Sequence, residues 1–243
     1  MSIHLIGGGA TTEADAALYT PFVAEAAERA RTAGRARPRI AVISLHPEAE
    51  EKAAALAELL TVAAAGDADG IEARAVVGRP GEPITLAAIA EVDGIAVGGG
   101  VVEDVRAGLE PLFGELRRLV SVGVPYLGVS AGAMVAAEGS LGSGSRIGGV
   151  PVSPEDSEGP WHELEIEPGI GLVDVAIEVH VAQRGMLSRL VAAVESGLIA
   201  GGLGIDERTS LIVGDGRLGS EGEGSVWRVL PTDGGVLVST IGI

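Results

Sequence analysis

Short, largely apolar runs alternate with longer Ala-rich segments through the first half of this chain, and most of the runs end at glycine. This alternation leaves few architectures open. A strand followed by a covering helix, repeated, builds a mostly parallel sheet with helices on both faces. The spacing predicts strands over 2–7, 39–45, 71–77, 94–97 and 124–129. Helices are predicted over 13–33, 47–65 and 102–120, with a shorter helical stretch over 83–91. The strand runs are largely apolar rather than apolar at alternate positions, which is the pattern of strands buried on both sides.

From Ser140 to Pro160, Gly, Ser and Pro dominate, and this stretch reads as a loop or hairpin placed where a site wall can be built. An apolar run over 173–177 then leads to His180 and a helical stretch over 183–194. The tail from Gly201 carries short β runs punctuated by Gly-Asp-Gly and Asp-Gly-Gly, the pattern of an antiparallel meander. No repeat and no long linker divides the chain, so residues 1–243 are expected to form one α/β domain. With aromatic residues at only 2% against 47% hydrophobic residues, its core must be built from Ala, Val, Leu and Ile.

A net charge of −17 repels phosphate backbones and anionic lipid, so neither a nucleic acid nor a membrane surface is an expected partner. The absence of cysteine removes disulfides, thiolate metal sites and cysteine nucleophiles together. Four widely spaced histidines offer no metal cluster, and the chemistry below requires no cofactor. The first residues lack the basic flank and cleavage site of a secretion signal. No apolar stretch reaches the roughly 18 to 20 residues that span a bilayer. A cytoplasmic location is the expectation.

The sharpest motif is Tyr126-Leu-Gly128-Val-Ser130-Ala131-Gly132-Ala133, a G-x-S-x-G sequence between a predicted strand and a predicted helix. Such a turn holds a serine in a strained conformation with its hydroxyl exposed, and small neighbours let the chain make the bend. The helix that follows would aim N–H groups at a developing oxyanion. An ordinary glycine-rich turn shares this pattern, so the serine needs a base. His180 and His46 both fall at predicted strand ends, His162 lies beside Trp161 in the loop region, and His4 lies inside the first strand. Candidate acids to orient the base are Glu195, Asp206, Glu207 and Asp215. Of the adjacent pair Asp206-Glu207 only one can face a given histidine, unless both simply begin a turn. Oxyanion donors would come from Ala131 and from Gly99 or Gly100 in the central Gly98-Gly99-Gly100.

Taken together, the elbow around Ser130, the stretch from Pro168 through Glu178-Val-His180 to Arg184 and Arg189, and Gly204-Ile-Asp206-Glu207-Arg-Thr209 resemble the cyanophycinase and peptidase E family of serine peptidases. The glycines at 7–9 and 98–100 fall where that family has glycine turns. The resemblance implies a class I glutamine amidotransferase-like, flavodoxin-like fold. It also implies Ser130 as nucleophile, His180 as base and Glu207 as orienting acid. Positions 101, 178, 179, 184 and 189 correspond to groups that hold substrate in the family, so Val101, Glu178, Val179, Arg184 and Arg189 are the expected substrate-binding residues. Several depart from the family pattern. Val101 replaces a polar Gln or Asn, Glu178 and Val179 replace Asp and Gln, and Met186 replaces one of the spaced arginines.

The expected function is hydrolysis of a small peptide or isopeptide through an acyl-enzyme, on a substrate other than typical cyanophycin. The altered pocket also allows a catalytically silent scaffold of the same fold, and a homodimer is a compatible assembly. An α/β-hydrolase esterase shares G-x-S-x-G but places its histidine last, after the acid. Glutamine amidotransfer is excluded by the missing cysteine.

Overall fold

The computed structural model describes residues 2–9, 12–65, 70–154, 162–214 and 216–241. Five parallel strands form the centre: β1 (Ser2–Ile6), β2 (Arg39–Leu45), β3 (Glu72–Gly78), β4 (Gly94–Val97) and β5 (Tyr126–Val129). Small pairs follow, β6 (Gly139–Leu141) with β9 (Ile166–Pro168) and β7 (Arg146–Ile147) with β8 (Val150–Pro151). The remaining strands are β10 (Ala176–Val179), β11 (Gly202–Ile205), β12 (Thr209–Gly214), β13 (Arg217–Gly222), β14 (Val226–Thr232) and β15 (Gly235–Ile241). The main sheet has the order β13-β12-β1-β5-β4-β2-β3, and a second sheet the order β10-β11-β14-β15.

Side-chain alternation explains why the central strands read as continuously apolar. In β2, Ile40 and Val42 enter one core, while Ala41, Ile43 and Leu45 enter the other. The first core is closed by α1 (Thr20–Thr32) and α2 (Ala49–Ala63), through residues such as Phe22 and Leu60. The second is closed by α3 (Val102–Leu109) and α4 (Phe113–Ser121), and also by the second sheet through Ile177, Leu203 and Val229. One face is therefore covered by helices alone and the other by helices plus a sheet.

The expected helix over 102–120 is broken. A 3₁₀ turn, Glu110–Leu112, separates α3 from α4, because Pro111 lacks the N–H a continuous helix needs. Likewise 13–33 divides into a 3₁₀ segment, Glu13–Tyr19, and α1, which has Pro21 in its first turn. The C-terminal tail is not one meander. β12 and β13 extend the main sheet beside β1, whereas β14 and β15 join β11 in the second sheet. Among the described residues no helix is long and apolar enough to cross a membrane.

Candidate functional site

Parallel register brings the strand ends to one edge. Ile6 of β1 lies opposite Val129 of β5, and Val97 of β4 opposite Gly128, so residues 7–9, 98–100 and 130 leave the sheet together. That is where open α/β sheets form their crevices. The N–H of Ser130 donates to the Ile6 carbonyl at 2.9 Å. Ser130 has φ 54° and ψ −117°, a strained backbone for any residue with a side chain. The flanking glycines are required by space. A Cβ at Gly128 would stand 2.3 Å from the Gly132 carbonyl oxygen, and one at Gly132 the same distance from that of Val97. The buried Tyr126 hydroxyl donates to the Gly132 carbonyl at 2.7 Å and pins the bend from below.

His180 follows β10, and its N–H donates to the Gly7 carbonyl at 3.2 Å. Its Nε2 lies 2.8 Å from Ser130 Oγ, and its Nδ1 lies 2.7 Å from Oε1 of Glu207. A carboxylate only accepts, so a neutral imidazole donates Nδ1–H to Glu207 and leaves Nε2 to accept the serine proton. Glu207 sits in the turn after β11, where its own N–H donates to Oε1 of Gln183 at 2.9 Å. The glycine turn after β1 packs against both groups. A Cβ on Gly8 would fall 2.2 Å from His180 Cε1, and one on Gly9 2.6 Å from Glu207 Oε2.

Burial holds the His180 pKa below the ordinary imidazole value of 6.5, reinforced by the Arg184 guanidinium. The carboxylates of Glu207 and Glu178 oppose this but do not overcome it. His180 is consequently neutral at neutral pH. Arg184 is 47% exposed, with Nε 3.9 Å from Glu207 Oε1.

Gly99 lies directly against the serine, since a Cβ there would be 3.2 Å from Ser130 Cβ and 3.6 Å from Oγ. Gly100 is one step further, against the Leu45 carbonyl and the His46 ring. Among the described residues the N–H groups of Gly99 and Ala131 donate to no protein acceptor. The helix behind the serine, α5 (Ala131–Met134), is a single turn. The expected contribution of a helix dipole is therefore small, because few peptide units are aligned.

The expected substrate residues separate into two groups. Val101, 55% exposed, and Arg184 reach solvent. Glu178, Val179 and Arg189 do not, which corrects the expectation that they touch substrate. Glu178 and Arg189 are both 0% exposed and joined by two hydrogen bonds, Nε to Oε2 at 2.7 Å and Nη2 to Oε1 at 2.9 Å. Arg189 Nη1 also donates to the carbonyls of Gly142 and Gly144, at 3.1 and 3.2 Å. Val179 is buried in β10.

The other candidates lie apart from this cluster. His4 is buried edge-on against Phe22, His46 accepts the Glu48 N–H through Nδ1 at 3.0 Å, and His162 is exposed, 3.4 Å from Ser143 Oγ. Glu195 is exposed at the end of α7 (Leu187–Glu195), and Asp206 turns into the interior. Trp161 and Asp215 lie outside the described residues. Sequence reasoning missed Gln183 and the bedding role of Gly8 and Gly9. The only signal for the two glycines was the triple glycine closing the first strand. A cavity of about 820 Å³ lies elsewhere, reaching Gly202 and Leu203 at the start of β11, whereas Glu207 follows its end.

Residues 71–220, more than half of the chain, match the sequence model of peptidase family S51. Cyanophycinases from Synechococcus elongatus and from Thermosynechococcus vestitus (strain NIES-2133 / IAM M-273 / BP-1) are each 34% identical over 154 residues, 61% of this chain and 45% of theirs. The chain thus spans about half the length of the relatives it matches. The crystal structure of a peptidase from an acI-B1 Actinobacterium superposes with a TM-score of 0.68 at 18% identity, covering 99% of this chain and 93% of that one. A candidate peptidase E protein from Listeria monocytogenes EGD-e gives 0.53 at 13% identity, over 92% and 98%. At these identities both likenesses concern the fold.

Proposed function

This chain belongs to peptidase family S51, and from that premise we propose that it is a serine-type hydrolase cleaving peptide or isopeptide bonds through an acyl-enzyme. The observation that carries the proposal is the unbroken hydrogen-bonded series from Ser130 Oγ through the His180 imidazole to Glu207, at 2.8 and 2.7 Å, on a strained serine.

In this reading Ser130 Oγ attacks the amide carbonyl as its proton passes to His180 Nε2. The tetrahedral oxyanion is held by the N–H groups of Ala131 and of Gly99 or Gly100, with Gly99 the nearer. His180 then returns the proton to the departing amine as the C–N bond breaks. Water attacks the acyl ester by the same route in reverse, giving a carboxylic acid and restoring the Ser130 hydroxyl. Glu207 stays ionised, fixes the tautomer and stabilises the imidazolium.

Arg184, exposed beside Glu207, supplies a cation for a substrate carboxylate. The relatives are named cyanophycinases, so a β-aspartyl isopeptide falls within the substrate class. Val101 offers an exposed apolar side chain where that family offers a hydrogen-bonding one, which favours a different partner at that position.

Intact-mass analysis after treatment with a small sulfonyl fluoride tests the assignment. Wild type should gain a single adduct that Ser130→Ala and His180→Ala do not. An adduct persisting on Ser130→Ala, or none on wild type, would overturn it and favour a silent scaffold.

A further inference from the structure

His180 occupies the N-cap of α6 (Val181–Arg184) with φ 55° and ψ 32°, a left-handed conformation unfavourable for a residue with a Cβ. An N-cap residue ordinarily uses its own side chain to bond the N–H of the second or third helical residue. His180 does not, because its two ring nitrogens face Ser130 and Glu207. The second helical N–H, that of Ala182, is instead bonded by Asp206 Oδ1 at 2.9 Å.

The same carboxylate receives two more donors, Trp227 Nε1–H on Oδ1 and the Ser225 N–H on Oδ2, each at 2.9 Å. Asp206 is 4% exposed and immediately precedes Glu207. One buried group thereby ties the start of α6, the chain entering β14 and the turn that carries the acid. We propose that Asp206 is a positioning residue that caps α6 in place of His180, leaving the imidazole free to bridge Ser130 and Glu207 in a fixed orientation. What that imidazole accomplishes rests on the serine-hydrolase reading; the cap itself is a statement about the geometry of His180.

The experiment uses full-length protein labelled with ¹⁵N-histidine, whose four histidines give a tractable spectrum. Asp206→Ala, Asp206→Asn and Trp227→Phe are compared with wild type. Asp206→Asn keeps Oδ1 for Ala182 and Trp227 and forfeits the Ser225 bond. Trp227→Phe removes one bond to the same carboxylate from the sheet side. In Asp206→Ala the His180 titration should move from its wild-type position, the deshielded Nδ1–H signal should vanish, and sulfonyl fluoride labelling should slow by about 100-fold, the cost of a misplacement near 1 Å. Asp206→Asn should restore all three, and Trp227→Phe should leave them near wild type.

The proposal falls if Asp206→Ala leaves the His180 signals and labelling unchanged, or if Trp227→Phe alters them as much. Should Asp206→Ala not fold, Asp206→Ser, whose hydroxyl cannot serve all three donors, is read in the same ways. If wild type takes no label but its His180 signals respond as stated, the hydrolase reading fails while the cap stands. If wild type labels and Asp206→Ala is unchanged, the reverse holds.

Discussion

Ser130 and His180 both carry positive φ, at 54° and 55°, so the two hydrogen-bonded residues are held in conformations their own sequence disfavours. Glu207→Gln keeps the shape but offers Nδ1 an uncharged partner, and kcat should fall by about 10²- to 10⁴-fold with the fold intact. Circular dichroism beside single-turnover kinetics checks this. Because burial and Arg184 depress the His180 pKa, kcat/KM should stay level from neutral pH to below 6.5 and decline only in more acidic solution. Arg184→Ala removes a cation that disfavours the imidazolium, so the acid limb should move to higher pH. The sign for stability agrees. The fold favours neutral His180, so its contribution is complete above the ordinary imidazole pKa and is lost as pH falls through the lowered one. The elbow was legible because G-x-S-x-G encodes a local steric demand. Gly8 and Gly9 were not, since what they make room for lies more than 170 residues away in sequence.

Among the elements, β10 and α7 are joined by the Glu178–Arg189 pair, which the family resemblance offered for substrate. Sequence periodicity places side chains on a helix but does not say which neighbouring element covers them. Here the second sheet and the carbonyls of Gly142 and Gly144 cover Arg189 completely. Arg189→Ala would strand a buried carboxylate and should cost about 3–5 kcal/mol in urea unfolding, whereas replacing both partners by apolar residues of similar volume should cost much less. Gly132→Ala places a methyl 2.3 Å from the Val97 carbonyl oxygen, so the elbow must shift. The expected result is lost labelling of Ser130 together with a lower Tm. The break between α3 and α4 was legible in Pro111 as a local signal. The division of the tail between two sheets was not, because strand pairing is set by distant partners.

For the molecule as a whole, a charge of −17 on 243 residues opposes the compact state by self-repulsion. Added salt screens that repulsion, so Tm should rise as sodium chloride goes from about 10 to about 150 mM, over which the screening length shrinks from about 30 to about 8 Å. Differential scanning calorimetry at fixed pH reads the change directly. The parallel core and the edge where its strands end were readable from the β/α alternation, but β3, expected to be buried on both sides, is an exposed edge strand. The second sheet as a cover was not readable. The order in which the chain visits its sheets has a consequence for how the site is assembled. β1 has β12 beside it, and the turn bearing Asp206 and Glu207 lies between β11 and β12. The residues up to Gly201 hold Ser130 and His180 but neither Glu207 nor β12, the antiparallel neighbour of β1. The proposed centre is therefore closed only by the segment after β11, so a break in the chain at Gly201 would separate the nucleophile and the base from the acid.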